Sequence, residues 1–289
     1  MSEIEKLKQG ERGAWVSIIA YLILASAKLT IASVGSSEAL RADGLNNATD
    51  IVASIAVLIG LKISRKPPDK DHPYGHFRAE IIASLVAAFI MVVIGLEVLS
   101  GTFVNIIRQE AIEPSSLTGW TALVAAIFMY GVYRYNLNLS KKVSSKALNA
   151  AAQDNRSDAL VSIGAAIGIF GAQFGIYWLD PLAGFIVGLI ICKTAWDIFE
   201  DATHHLTDGY DEKDLMEIRE LIEAHPKVTA VKDVKGRQQG NRAIIEATIH
   251  VSPTITIEAG HNITDEVEII LENQLNIRYA HIHVEPSDI

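Results

Sequence analysis

Two of the long apolar runs in this chain carry carboxylates in their middles, and that combination leaves few folds open. In Ala151-Ala-Gln-Asp-Asn-Arg-Ser-Asp158, Asp154 and Asp158 stand four residues apart, so a helix sets both on one face about one turn from each other. Upstream, Asp43-Gly-Leu-Asn-Asn-Ala-Thr-Asp50 repeats the spacing with Asn46 and Asp50, and Asp43 falls on the same face. An ionisable group at membrane depth costs at least about 2.5 to 3.5 kcal/mol, so several together need a metal ion, a proton or water to compensate them. Two helices that each bring a pair of oxygen donors point to one cation site.

The apolar runs themselves are six. Ala14 to Val34 is the first, interrupted only by Lys28, which either snorkels to the interface or faces the bundle. A second runs from near Glu38 to Ile63, and Ala79 to Leu99 and Leu117 to Tyr133 follow. Ala147 to Leu179 contains a fifth, and Pro181 to Phe199 is the sixth. About 20 residues are needed to cross a hydrocarbon core. Basic residues alternate between the loops: Lys6, Lys8 and Arg12, then Lys62 to Arg78, then Arg134, Lys141, Lys142 and Lys146 flank every second boundary. The opposite loops hold Arg41 and Arg108 beside Glu38, Glu110 and Glu113. The positive-inside rule therefore puts both termini in the cytoplasm. At 1.5 Å per residue, Asp50 and Asp154 each sit about 18 Å into their helices from opposite ends, so the two polar pairs reach the same level near the middle of the core. Arg156 and Asn155 point elsewhere on their helix, and Arg156 is expected to pair with an acid.

Composition closes other routes. The single cysteine, Cys192, allows neither an internal disulfide nor a thiolate cluster, so a metal would be held by oxygen and imidazole. The net charge of -9 has its acidic excess after residue 199 and gives no basis for nucleic-acid binding. Met1 to Arg12 is charged and has no short apolar run with a small-residue cleavage site, so no cleavable signal peptide is expected.

Imidazoles gather in two places. The basic loop reads Asp69-Lys-Asp-His72-Pro-Tyr-Gly-His76-Phe-Arg78-Ala-Glu80. One turn of helix would present Asp69, His72 and His76 to one ion, although Pro73 and Gly75 oppose such a turn, and a solvated loop capping the third helix is the alternative. After Leu206 the pattern becomes helix (Asp211 to Ala224), strand (Lys227 to Val234), strand (Ala243 to Val251), helix (Ile257 to Gln274) and strand (Arg278 to Glu285), a small α+β sandwich. By period two, His281, His283 and Glu285 share one face of the last strand and Ala280, Ile282 and Val284 the other. Asp233, His250 and His261 join His283 and Glu285 as candidates for a regulatory metal site, against the alternative of solvated side chains.

Taken together, these features resemble the cation diffusion facilitators over nearly the whole chain: six spans, paired donors in helices two and five, His72-Pro-Tyr-Gly-His76 with Glu80, and a tail ending His283-Val-Glu285-Pro. The resemblance implies six transmembrane helices over residues 1–206 and a ferredoxin-like cytoplasmic domain over residues 207–289 that binds metal and tightens a homodimer. It further implies export of a divalent transition metal from the cytoplasm, across the plasma membrane, in exchange for protons. It places the transport site on Asn46, Asp50, Asp154 and Asp158 and the loop site on Asp69, His72 and His76. Arg78 and Asp208 match the basic and acidic partners where the two domains meet. Zinc-preferring members put histidine beside aspartate in one of the pairs, whereas this chain offers one amide and three carboxylates. That oxygen-only set suits Mn²⁺ and resembles the manganese-exporting branch. Asp233 and Thr248 stand where well-known zinc transporters carry histidine, while His261, His283 and Glu285 remain.

The expected activity is Mn²⁺ export by alternating access, with Fe²⁺, Co²⁺ or Zn²⁺ export as the alternative within the class. No enzymatic reaction and no cofactor besides the cargo ion are expected. A non-transporting metal-sensing scaffold is a reading from another class. An intramembrane aspartyl hydrolase could use Asp50 and Asp158, but has no need of Asn46, a histidine loop or a metal-binding tail.

Overall fold

In this computed structural model the described residues are 3–64, 66–108, 113–143, 146–239 and 242–287. Of the loop charges, Arg65 and Glu110 lie outside them, as do the side chains of Lys6, Lys8, Arg12, Arg108 and Lys146. Six long helices appear where the apolar runs predict them: α1 (Glu3–Gly35), α2 (Glu38–Ser64), α3 (Ala79–Arg108), α4 (Ser116–Val143), α5 (Lys146–Gln173) and α6 (Leu179–Leu206). Five of them, all but α5, are long and apolar enough to cross a membrane. The polar run Gln153 to Asp158 dilutes the 28 residues of α5. By packing, the chain separates into two units, Met1–Ala56 with Val86–Ile198, and Val57–Leu85 with Phe199–Ile289.

In the first unit the helices meet through small side chains, which is how helices approach closely when hydrophobicity gives no preference for protein over lipid. Ala20, Tyr21 and Leu24 of α1 pack with Ala125, Met129 and Val132 of α4 and Ala159 of α5. Nearer the other end of α1, Ala32 meets Ala39 and Leu40 of α2, Ala122 of α4, and Ala165, Ala166 and Ile169 of α5. On the far side of α2, Ala42 packs with Val98 of α3 and with Val187 and Ile191 of α6. The start of α2 is capped twice. Ser37 Oγ accepts from Leu40 N at 3.1 Å, and Asp180 of α6 accepts from Glu38 N at 2.7 Å and from Ser37 Oγ at 2.6 Å, so orphan donors of the first turn are satisfied without water.

The tail of the second unit is a three-stranded sheet in the order β1-β2-β3, with β1 (Ala230–Gln239), β2 (Arg242–Val251) and β3 (Tyr279–Pro286). β1 and β2 are antiparallel, and β2 and β3 are parallel. A parallel neighbour needs a crossover, and α8 (Ile257–Leu275) supplies it; α7 (Glu212–Glu223) precedes β1. Both helices begin on side-chain caps, Asp211 and Thr256, and α8 ends on Asn276 in the left-handed conformation. Ile245, Ile249 and Ile282 from one sheet face bury against Ile218 and Ile222 of α7 and Ile263, Val267 and Leu271 of α8. The alternation expected in β3 is present, with Ile282 buried and His281 and His283 exposed. β1 runs five residues beyond the predicted Val234, because Lys235 to Gln239 pair in register with Glu246 to Arg242. The ladder extends there through backbone pairing, with no apolar pattern to announce it.

Candidate functional site

The first candidate site lies between α2 and α5 and is closed off by α1. Asp158 is 7% exposed, and both of its oxygens accept hydrogen bonds: Oδ1 from Asn46 Nδ2 at 3.1 Å and Oδ2 from the Tyr21 hydroxyl at 2.9 Å. Asn46 is likewise buried, and Asp50, one turn on along α2, is half-buried with an Oδ2 that has no hydrogen-bond partner among the described residues. Asn46, Asp50 and Asp158 are thus set along the α2–α5 seam with Asn46 and Asp158 in direct contact. Asp154 is exposed and accepts no hydrogen bond from them. Among the described residues no three carboxylates of this region converge within 4.8 Å, so in this conformation the four expected donors are not gathered around one point.

A buried network stands behind Asp158 that the spacing of acids does not reveal. Asn155 donates to the Tyr21 hydroxyl at 2.8 Å and accepts from Ser17 Oγ at 3.0 Å and from Asn136 Nδ2 at 2.9 Å; Asn136 also donates to Ser17 at 2.9 Å. Ser17 and Tyr21 of α1, Asn136 of α4, and Asn155 and Asp158 of α5 therefore form one connected set with every member buried. In a low-dielectric interior such a set is stable only when its members are paired. Its effect is to fix the rotamer of Asp158. The available signal was the spacing of Ser17 and Tyr21, one turn apart on α1, and of Asn155 beside Asp154, but each residue alone is unremarkable in a membrane helix. Asp43, on the Asn46 and Asp50 face by its spacing, forms an ion pair with Lys28 at 2.8 Å, and Lys28 faces the bundle with 0% exposure. Arg156 is exposed.

The second candidate is the loop between α2 and α3. Asp69, His72 and His76 can each offer one ligand atom within 4.8 Å of the others, and they are the one such group among the described residues. His72 Nδ1 lies 3.1 Å from Asp69 Oδ1 and His76 Nε2 3.4 Å from Asp69 Oδ2, with ring centroids 4.3 Å apart. The turn of helix expected there does not form. Pro73 cannot donate within a helix, and Gly75 takes a φ of 84°. The grouping comes instead from an Asx-type turn in which Asp69 Oδ1 accepts from His72 N at 2.7 Å and from Asp71 N at 3.0 Å. Those amides, His72 first, hold the Asp69 carboxyl below the usual carboxylate range. Two residues after His76, Arg78 pairs with Asp208.

On the sheet face opposite the helices, Asp233, Thr248 and His283 stand in one row across the strands, and His250 opposite Glu285 in the next. Glu285 is the hub, 3.3 Å from His250 Nε2, 3.8 Å from His283 Nε2 and 2.7 Å from Lys232 Nζ. The lysine holds its carboxyl below the ordinary value, with His250 adding to the effect. Asp233 is drawn to Lys235 at 2.8 Å. His261 does not join them. It sits exposed on α8, in the helical layer, beside Asp265 at 3.8 Å.

Comparison with known proteins agrees with this architecture. The family described as the cation efflux transmembrane domain matches residues 14–207, and the cation efflux protein cytoplasmic domain matches residues 210–287. A transporter of Bacillus subtilis named YdbO is 53% identical, covering 100% of both chains. The manganese efflux system protein MneS of the same organism is 51% identical over 100% of this chain and 99% of its own. A second protein of that name, MneP, is 30% identical over 99% and 98%. Among solved structures, the C-terminal domain of MamM in a copper form is 26% identical, covers 27% of this chain and 77% of its own, and has a TM-score of 0.26. With apolar spanning helices, a sheet-and-helix tail and both family matches laid end to end from residue 14 to residue 287, this multi-pass membrane protein belongs to the cation efflux family.

Proposed function

We propose that the protein exports Mn²⁺ from the cytoplasm across the plasma membrane, in exchange for protons, as a homodimer working by alternating access. The observation that carries the reading is the donor chemistry of the α2–α5 seam. Asn46, Asp50, Asp154 and Asp158 are all oxygen donors, and α2 and α5 contain neither histidine nor cysteine. Hard oxygen ligands suit Mn²⁺, the weakest binder among the first-row divalent ions, and withhold the nitrogen or sulfur that would favour Zn²⁺. The names of MneS and MneP support the same ion.

In this reading Asp158, fixed by Tyr21 and Asn46, is the stationary ligand, and Asp154 is the mobile one. It lies one turn along the same helix face and joins Asp50 and Asp158 when α5 shifts against α2. Protons take the place of the metal on the carboxylates during the return, which couples the two fluxes. Residues 1–206 form the transport domain and residues 207–289 the cytoplasmic domain, with Asp69, His72 and His76, and Glu285 with His250 and His283, as accessory metal sites. The test is accumulation of Mn²⁺ in proteoliposomes driven by an imposed pH gradient. The expected result is uptake that collapses when a protonophore is added; uptake indifferent to the gradient removes the proton exchange.

A further inference from the structure

The transport pair has a displaced counterpart toward the Glu38 end of the same helices. On α2, Asp43 and Asn47 repeat the one-turn spacing of Asn46 and Asp50, and on α5, Ser162 lies one turn beyond Asp158. The three side chains converge on a single point, and Lys28 of α1 fills it. Its ammonium is 2.8 Å from Asp43 Oδ2, 2.7 Å from Asn47 Oδ1 and 2.9 Å from Ser162 Oγ. All four residues are 0% exposed. An ammonium group has three N–H donors; here it donates to the amide oxygen of Asn47 and the hydroxyl of Ser162 and forms an ion pair with the Asp43 carboxylate.

A lone polar cluster would not require a cation, but this one does. Asp43 and Lys28 are the charged members, and without Lys28 the buried Asp43 carboxylate would have no counter-charge within the cluster. Both Asp43 carboxylate oxygens and Asn47 Nδ2 are buried without a hydrogen-bond partner among the described residues, so the Lys28 ammonium is what the Asp43 charge meets in the cage. Entry of the lysine is also built into the backbone. A Cβ at Gly44, next to Asp43, would come within 3.0 Å of Leu29 and 3.1 Å of the Lys28 stem; glycine lets α1 approach α2 closely enough for the ammonium to reach the far side.

We propose that Asp43, Asn47 and Ser162 form a second cation site between α2 and α5, sized for a monovalent cation such as an ammonium, and that Lys28 is its built-in occupant. The tethered charge neutralises Asp43 and keeps it out of cargo coordination, although it stands on the face of Asn46 and Asp50. The site goes beyond the Mn²⁺ export reading and is tested without manganese.

The experiment is thermal unfolding of the purified full-length protein in detergent, with n-propylammonium chloride as the probe and 1-propanol as the neutral control of matched shape. Lys28→Ala is expected to lower Tm, and propylammonium to recover at least half of that loss saturably, while propanol recovers none. Wild type and the double variant Lys28→Ala/Asp43→Asn, which has no carboxylate to neutralise, should show no such recovery. A Lys28→Ala protein unaffected by propylammonium, or a recovery equal in the double variant, overturns the site. Should Lys28→Ala not accumulate as folded protein, the double variant decides: its folding shows that Lys28 is needed as the cation of Asp43, and its failure shows a packing residue instead.

Discussion

At the scale of single residues the account turns on Asp158 and on what holds it. Both of its oxygens take hydrogen bonds, from Asn46 and Tyr21, and Tyr21 in turn accepts from Asn155. Tyr21→Phe would leave a buried carboxylate oxygen and a buried amide N–H without partners, each costing about 1–3 kcal/mol. The expected outcome is a lower Tm together with weaker Mn²⁺ binding, read by calorimetry on the same preparation; unchanged binding would mean that the network does not position Asp158. Selectivity belongs to this scale as well. Asn46→His, and more strongly Asp154→His, adds an imidazole to an oxygen-only set, which rewards Zn²⁺. A tenfold change in relative affinity, about 1.4 kcal/mol, is expected from Asp154→His in competition assays with the two ions, and an unchanged ratio would place selectivity outside these four residues.

At the scale of elements, the loop and the outer face of the sheet are held by local polar pairing, while the inner face of the sheet is held by burial. Asp69 closes its loop by accepting from two backbone amides, which lowers its pKa, and Glu285 is lowered by its bond to Lys232 on the neighbouring part of the sheet. The sign follows from linkage: a carboxyl whose folded pKa is depressed contributes stability above its ordinary value, about 4.3 for glutamate, and loses it as pH falls through the folded value. Glu285→Gln removes that contribution, so unfolding of the sheet domain on acidification, followed by circular dichroism, is expected to show a weaker dependence on pH below about 4.3 than in wild type. An identical acid profile would show that the Lys232 pair adds nothing. These elements also mark the limit of what the sequence discloses. The apolar spans and the period-two pattern of β3 were legible because burial writes itself into hydropathy. The Asp69 turn was not, since Pro73 and Gly75 obscure a helical spacing and an Asx turn leaves no periodic trace. The polar second half of β1 was equally hidden, because its partner strand, and not its own side chains, makes it a strand.

At the scale of the whole molecule, the paired oxygen donors of α2 and α5 could be read directly, as one-turn spacing is visible in any helix. What surrounds them could not. Tyr21, Ser17 and Asn136 come from α1 and α4, and only tertiary packing brings them to Asn155 and Asp158. Lys28 was visible as an oddity within an apolar run, but its partner among several acids was not. Asp154 lies exposed, so the proposed four-donor site requires a different arrangement of α5 against α2 than the one seen here. The cytoplasmic domain carries its own core, and deleting the residues after Leu206 is expected to weaken dimerisation and lower flux without abolishing it. Sedimentation analysis and vesicle uptake on the truncated protein check this, and an unchanged dimer would shift the interface to the membrane helices.

The central claim, that an oxygen-only site on α2 and α5 carries Mn²⁺, is tested most directly by Mn²⁺ uptake into dye-loaded proteoliposomes, with and without equimolar Zn²⁺, for wild type and Asp158→Ala. The account predicts wild-type Mn²⁺ flux that persists in the presence of Zn²⁺ and falls at least about tenfold, or about 1.4 kcal/mol in transition-state terms, in an Asp158→Ala protein that remains dimeric. Near-normal flux in that variant, or a wild type that prefers Zn²⁺ to Mn²⁺, would contradict it.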